Sequence, residues 1–113
     1  KIIDKRELYR KCLFSFDYNS MCRKAIRTKL LQNIEYEKYY GVRHGEDLIQ
    51  TLDVFKKCNG VFFIKDILYN YRLNPNSVTQ SIQYYNFQFD NTVREYVLDF
   101  LKAENDPLIV PKL

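Results

Sequence analysis

The stretch between Gly45 and Gly60 is the feature that most narrowly limits what this chain can fold into. Its apolar side chains recur at three- and four-residue spacings, the period of an α-helix buried along one side. They are Leu48, Ile49, Leu52, Phe55 and Cys58. Glu46 and Asp47 precede the stripe, and Gly60 follows it where a left-handed C-terminal cap is common. We therefore predict a helix that starts at Glu46 or Asp47 and ends before Gly60.

Two further helices are indicated near the ends of the chain. Asp4 followed three residues later by Glu7 is typical of a helix start, because each side chain can cap the other's backbone amide. This pattern predicts a helix over residues 4–14. Apolar residues near the C-terminus are also spaced as on one helix face, and predict a helix over residues 82–103 that ends before Pro107.

The segments between these helices are shorter and mixed. Residues 22–34 are expected to begin extended and finish as a short helix, and residues 35–45 to form a loop. Residues 61–66, VFFIKD, have strand composition, and residues 67–73 are interpreted as a second strand or an extended segment. Residues 74–81 carry turn chemistry. The predicted fold class is α+β, predominantly helical with a short strand pair.

Length and composition indicate one soluble domain covering residues 1–113. Hydrophobic residues make up 46% and charged residues 28% of the chain, and no apolar run reaches the ~20 residues that span a bilayer. The chain starts at Lys1 and ends in DPLIVPKL. We interpret it as a piece of a longer protein.

The residues that most often hold metals are sparse and badly spaced for that role. Cys12, Cys22 and Cys58 lack paired metal-ligand spacing, and His44 is the sole histidine. The one acid-x-acid triplet, at residues 35–37, is read as solvated surface charge. No metal site is predicted in this chain, and the cysteines are interpreted as reduced, buried thiols of a cytoplasmic protein.

The net charge of +4 is concentrated near the N-terminus, where nine of the eighteen Lys and Arg residues lie at or before Lys29. Such a segment is either a solvated helix face or a surface for an anionic partner. The absence of Gly-rich and RNP-like motifs favours the solvated face and argues against nucleic acid as a partner.

Glu46 and Asp47 admit two interpretations at this point. Acids in the first helical turn face the positive end of the helix dipole, which stabilises by ~0.3–1 kcal/mol. Capping alone therefore explains them. Paired carboxylates can also do acid–base chemistry, and the choice depends on the surrounding segments.

Those segments, CRKAIRTKLL (22–31), then HGEDLIQTLDVFKKCNGVFFIKDILYNYRLNPNSVTQS (44–81), resemble the C-terminal half of bacterial family 2 glycosyltransferases, which build surface polysaccharides. In that family a W-x-K-L-Y-R-R-x-L-L-like stretch precedes G-E-D, an amphipathic helix, a short strand, L-Y-x-Y-R and a polar turn ending in serine. The matching residues are Lys24, Arg27, Leu30, Leu31, Gly45, Glu46, Asp47, Leu48, Leu68, Tyr69, Tyr71, Arg72 and Ser77. Cys22 replaces the usual aromatic residue, and Ala25 and Ile26 replace an apolar–aromatic pair.

The resemblance implies the C-terminal part of a GT-A fold that lacks its N-terminal, nucleotide-binding half. In the full-length enzyme that half would bind a divalent metal, Mg or Mn, through an Asp-x-Asp motif that does not occur here. The implied activity is inverting transfer of a sugar, such as galactose or glucose, from a nucleoside-diphosphate sugar to a saccharide or lipid-linked acceptor. The implied location is the cytoplasm, with peripheral association at the inner face of the membrane left open.

The same resemblance assigns roles to five residues. Asp47 would be the general base, with Glu46 orienting it or binding an acceptor hydroxyl. Arg72, Lys24 and Tyr71 would bind substrate or diphosphate. The structural alternatives are a snorkelling lysine, an ion-paired arginine and a core tyrosine. The alternative function is a non-catalytic module that binds an anionic glycan, a membrane surface or nucleic acid. The isolated fragment is expected to be inactive.

Overall fold

Four helices and one pair of very short strands make up the regular structure of the described residues. The computed structural model describes residues 2–15, 18–42, 45–77 and 90–105. In chain order the elements are β1 (Ile2–Ile3), α1 (Lys5–Ser15), a first 3₁₀ turn (Met21–Arg23), α2 (Thr28–Leu31), a second 3₁₀ turn (Tyr36–Tyr39), α3 (Glu46–Lys57), β2 (Val61–Phe62) and α4 (Asp90–Glu104). The predicted class, predominantly helical with a short strand pair, is confirmed.

Helix α3 is the centre of the core because its apolar stripe meets α1, α2 and α4. The stripe is buried as predicted, and α1 and α4 add their own buried faces to it. The buried apolar residues are Leu8, Tyr9, Cys12, Leu48, Ile49, Leu52, Val54, Phe55, Cys58, Val93, Phe100 and Leu101. Tyr9 and Phe100 pack edge to face, with ring centroids 4.7 Å apart. Full burial of a large apolar side chain, such as leucine or phenylalanine, stabilises the fold by about 1.5–3 kcal/mol.

The junction between α3 and α4 depends on Gly45. This residue precedes α3 with φ +79°, a left-handed conformation that residues with a Cβ adopt only at a cost. A Cβ placed there would lie 2.9 Å from Cγ2 of Val93 in α4. Gly45 therefore allows both the turn into α3 and the close approach of α4.

The strand pairing differs from the prediction. Val61 and Phe62 form β2, but their antiparallel partner is β1, with Ile2 opposite Phe62 and Ile3 opposite Val61. Residues 67–73 are not a second strand in the described part of the chain, where they have neither helix nor strand structure. Local composition indicated a strand at residue 61, but its partner comes from the far end of the chain.

Helix boundaries agree with the predictions more closely than helix caps do. Helices α1 and α3 begin and end within a residue or two of prediction. Residues 22–34 contain α2 as expected, but they begin in the first 3₁₀ turn, and the extended backbone at Lys24 and Arg27 follows it. Helix α4 ends at Glu104, one residue beyond prediction, whereas residues 82–89 lie outside the described residues. The left-handed cap predicted at Gly60 is wrong, because Cys58 ends α3 in an extended conformation with φ −88° and ψ 153°.

Burial of the cysteines is also only partly as predicted. Cys12 and Cys58 are buried, but Cys22 is exposed, because the first 3₁₀ turn lies on the surface of the core rather than inside it.

None of the helices in the described ranges combines the length and apolar character needed to cross a membrane.

Candidate functional site

Asp47 lies in the first turn of α3, half-buried, and connects that helix to the preceding chain. Its Oδ2 accepts a hydrogen bond from the backbone amide of Met21 over 3.2 Å. Met21 opens the first 3₁₀ turn, where a backbone amide has no partner within its own turn. The carboxylate therefore caps a neighbouring element, and Gly45, the N-cap of α3, makes no side-chain capping bond.

One turn further along α3, Thr51 makes a second link to the same segment. Its Oγ1 donates to the carbonyl oxygen of Asn19 over 3.0 Å, and the side chain is fully buried. Asp47 and Thr51 are four residues apart, so they lie on one face of the helix. Together they hold residues 19–21 against α3. Sequence reasoning missed Thr51, although a polar residue on the buried side of a predicted helix was a usable signal.

Lys24 lies at the end of this segment and reaches back across it. Its Nζ donates to the carbonyl oxygens of Tyr18 and Ser20, the latter over 2.6 Å. Burial lowers the pKa of Lys24, while the nearby Cys12 and Asp47 act in the opposite direction. The Lys24 ammonium group therefore lies within electrostatic range of the Asp47 carboxylate, and two of its donors are used within the protein.

Cys22, Ser20 and Tyr69 form a polar group at the surface of the same segment. Ser20 Oγ and Cys22 Sγ are hydrogen-bonded at 2.8 Å. Hydrogen bonds from Ser20 and then Tyr69 lower the pKa of Cys22, and the contact with Cys22 raises the pKa of Tyr69. The sequence indicated Cys22 only as a buried thiol that departs from the family pattern, and Tyr69 only as a residue that matches it. The structure brings both to the start of α3.

Glu46 differs from Asp47 in its contacts. Its Oε2 is buried but accepts no hydrogen bond from the described residues. A buried carboxylate oxygen without a donor is uncommon in folded proteins, and it is a candidate to receive a hydroxyl or amide from a ligand. The two adjacent carboxylates therefore have different environments: Asp47 binds a backbone amide, whereas Oε2 of Glu46 has no donor among the described residues.

The remaining predicted site residues lie further out. Tyr71 is exposed. The pKa of Tyr69 is raised mainly by Cys22, then by burial, and to a smaller extent by Tyr71. Arg72, the next residue, is also exposed. Among the described residues, no contact joins it to Lys24, Glu46 or Asp47. We call the assembled group the α3 N-terminal cluster; it consists of Ser20, Cys22, Lys24, Glu46, Asp47 and Tyr69.

Metal-ligating groups do not gather in the described part of the chain. No set of three or more His, Cys, Asp or Glu side chains lies close enough there to hold an ion. His44, the residue before Gly45, lies outside the described residues.

Comparison with protein-family models, with characterised proteins and with solved structures finds no match for this chain. The resemblance to a family therefore depends on the sequence blocks quoted above.

Proposed function

We propose that this chain is the acceptor-side portion of an inverting, family 2 glycosyltransferase with a GT-A fold. The observation that carries the proposal is the convergence of three blocks that are far apart in sequence. Lys24 comes from the first block, Glu46 and Asp47 from the second, and Tyr69 from the third. Asp47 binds the Met21 amide just before the first block and acts electrostatically on Lys24 and Cys22, and Cys22 in turn is hydrogen-bonded to Tyr69.

In the proposed reaction an acceptor hydroxyl attacks the anomeric carbon of the donor sugar as the bond to the nucleoside diphosphate breaks. A hydroxyl is a weak nucleophile, so its proton must leave as the new bond forms. Asp47 takes that proton in our proposal and later returns it to solvent. Its Oδ2 is held by the Met21 amide, which fixes the orientation of the carboxylate without burying it completely.

Glu46 and Lys24 have supporting roles in this proposal. The donor-free Oε2 of Glu46 accepts a hydrogen bond from an acceptor hydroxyl and positions the sugar. Lys24 holds residues 18–24 in place through two carbonyl bonds, so we assign it as a positioning residue rather than a diphosphate ligand. Tyr71 and Arg72 are exposed and remain candidates for substrate contact.

The metal expected for this family belongs to the donor-binding half. The residues described here do not assemble a ligand set for it, so no step of the proposal passes through a metal held by this chain. A divalent ion bound by the other half would neutralise the leaving diphosphate.

The test compares carboxylate variants in the full-length protein that contains this chain. Membranes and lipid-linked acceptors are incubated with a panel of radiolabelled nucleoside-diphosphate sugars, and transfer and donor affinity are measured. Asp47→Asn should lower kcat by about 10²–10⁴ while donor affinity stays the same. Asp66→Asn is the matched control, because Asp66 is an exposed acid after β2.

Two results would count against the proposal. Turnover of Asp47→Asn at the wild-type rate would remove Asp47 as base. Absence of transfer from every donor, combined with binding of an anionic polymer that weakens steeply with salt, would favour the binding-module alternative. The isolated 113-residue chain is expected to transfer no sugar.

A further inference from the structure

Residues 18–21 lead into the first 3₁₀ turn and have three consecutive backbone carbonyls held by side chains. We call these residues the clamped segment. Nζ of Lys24 donates to the carbonyl oxygens of its first and third residues, and Oγ1 of Thr51 donates to that of Asn19 between them. The first three of these residues have no helix or strand structure, so their backbone groups need partners of this kind. The position of the segment therefore depends on a few side chains.

Helix α3 binds the clamped segment at two points, one turn apart. Thr51 donates to the Asn19 carbonyl oxygen over 3.0 Å, and Oδ2 of Asp47 accepts from the Met21 amide over 3.2 Å. Oγ1 of Thr51 also lies 3.5 Å from Sδ of Met21, so both residues of α3 contact Met21. Only one residue separates the two bonded backbone groups. A shift of the Asn19 carbonyl therefore moves the Met21 amide and, with it, the carboxylate that the amide binds.

Burial separates the roles of these two residues of α3. Thr51 is fully buried, whereas Asp47 is half-buried. Thr51 therefore cannot touch a substrate, and any effect that it has on a reaction must pass through the residues it contacts. The loss of its hydroxyl would leave the Asn19 carbonyl without this donor, and a backbone group deprived of its partner tends to move toward water.

We propose that Thr51 is a positioning residue for the transfer reaction, because it anchors the Met21 amide that orients the Asp47 carboxylate. Oδ2 of Asp47 is occupied by that amide, which leaves Oδ1 to take the proton from the acceptor hydroxyl. A base works only when its oxygen lies within hydrogen-bond reach of the hydroxyl, and small misplacements lower the rate steeply. The inference rests on the proposed function for the role of Asp47 as base.

The first test compares the kinetics of two hydroxyl deletions in the full-length protein that contains this chain. Thr51→Val keeps the shape of the side chain but removes the donor to the Asn19 carbonyl. It should lower kcat by about 10–100-fold and change KM for donor and acceptor by less than about twofold. Tyr96→Phe is the matched control, because it also removes one hydroxyl from a hydrogen bond between α3 and another segment, at Asp53, and should leave kcat unchanged.

A serine variant and hydrogen exchange distinguish the lost hydrogen bond from a general loss of packing. Serine keeps the hydroxyl, so kcat of Thr51→Ser should stay within about threefold of wild type. In residue-resolved exchange, the Met21 amide should exchange at least about fivefold faster in Thr51→Val and at the wild-type rate in Thr51→Ser. Amides of residues 52–55 in α3 check that the helix is intact. If Thr51→Val does not fold, Lys24→Met removes the other two carbonyl bonds of the clamped segment and should have the same effects on kcat and Met21 exchange.

Three results would overturn the inference. Wild-type kcat in Thr51→Val, or in Lys24→Met where it replaces that variant, would show that anchoring the segment does not affect the base. Unchanged exchange of the Met21 amide would show that Thr51 does not anchor it. Equal loss of kcat in Thr51→Val and Thr51→Ser would assign the effect to packing. The proposed function fails separately, because wild-type turnover of Asp47→Asn refutes it even when faster Met21 exchange in Thr51→Val shows that the anchor exists.

Discussion

The carboxylate of Asp47 caps the backbone amide of Met21, 26 residues earlier in the chain, rather than an amide of its own helix. The residue that the family resemblance assigns as base therefore also holds the first 3₁₀ turn against α3. These two roles make different demands on the side chain. An acceptor oxygen is enough for the hydrogen bond, but proton transfer needs a carboxylate.

The structural role of Asp47 predicts unequal stability losses in two variants. Asp47→Ala should lower the free energy of unfolding by about 1–2 kcal/mol, because the Met21 amide loses its acceptor. Asp47→Asn should lose less, since an amide oxygen can take that place. Urea unfolding of the 113-residue chain provides the measurement, with Asp66→Ala as the surface control. Equal losses for Ala and Asn would show that charge, not the bond, stabilises this junction.

The glycines before α3 predict a matched pair of substitutions. Gly41 and Gly45 have similar left-handed φ angles, +85° and +79°, but only Gly45 faces a neighbour, Val93. Gly41→Ala should cost about 1 kcal/mol from backbone conformation alone, and Gly45→Ala about 2–4 kcal/mol because contact with a stiff valine is added. Thermal unfolding of both variants gives the comparison. In the double variant Gly45→Ala, Val93→Ala, the combined loss should be smaller than the sum of the two single losses.

The contact between α3 and α4 predicts the effect of removing one hydroxyl. Tyr96 in α4 donates a hydrogen bond to Oδ1 of the buried Asp53 in α3. Tyr96→Phe removes this donor from a buried carboxylate and should destabilise the chain by about 1–3 kcal/mol. Tyr40→Phe is the control because Tyr40 is 80% exposed, and it should change stability by under about 0.5 kcal/mol. Chemical denaturation with a double-mutant cycle to Asp53→Asn measures the coupling.

Buried Cys12 predicts a loss of stability at alkaline pH. Burial raises the pKa of Cys12 from 9.0 to about 11, with Lys24 acting against this rise. The unfolded chain releases this proton first, so the related stability is fully present below about pH 9 and lost between pH 9 and 11. At 1.36 kcal/mol per pKa unit the loss is about 2–3 kcal/mol.

Three other titratable side chains also change how the free energy of unfolding depends on pH. Burial lowers the pKa of Lys24 below its ordinary value of 10.5, so the folded protein loses this proton at a lower pH than the unfolded chain does. Deprotonation of Lys24 therefore raises the free energy of unfolding as the pH rises toward 10.5. Burial raises the pKa values of Tyr9 and Tyr96, so both lower stability above about pH 10. Unfolding free energies of wild type and Cys12→Ala measured from pH 7 to 11 isolate the cysteine. A parallel decline in the two proteins would contradict the prediction.

The polar contacts of Cys22 predict its reactivity. Cys22 is exposed, whereas Cys12 and Cys58 are buried, so Cys22 should react first with a disulfide reagent. Hydrogen bonds from Ser20 and Tyr69 lower its pKa, so Tyr69→Phe should slow labelling at pH 7.5 by about threefold. Tyr71→Phe is the control, since Tyr71 acts on Cys22 only through Tyr69. Labelling rates and mass spectrometry of the labelled peptide give the result.

The sequence by itself determined the helices, because helix formation and one-sided burial are recorded in residue spacing. The stripe from Leu48 to Cys58 predicted α3 and its buried face, and the Asp4–Glu7 pattern predicted α1. It also indicated candidate site residues, through the three blocks that contain Lys24, Asp47 and Tyr71. These features depend on neighbours within a few turns of chain, which local patterns describe well.

Only the tertiary structure decided which of these elements meet. The partner of β2 is β1, which no local pattern around residue 61 could reveal, because strand pairing depends on long-range closure of the chain. Gly45 rather than Gly60 adopts the left-handed conformation at an end of α3, and the approach of Val93 in α4 leaves no room there for a Cβ. Asp47 binds Met21 because packing of the first 3₁₀ turn on α3 brings an amide without a partner to a carboxylate.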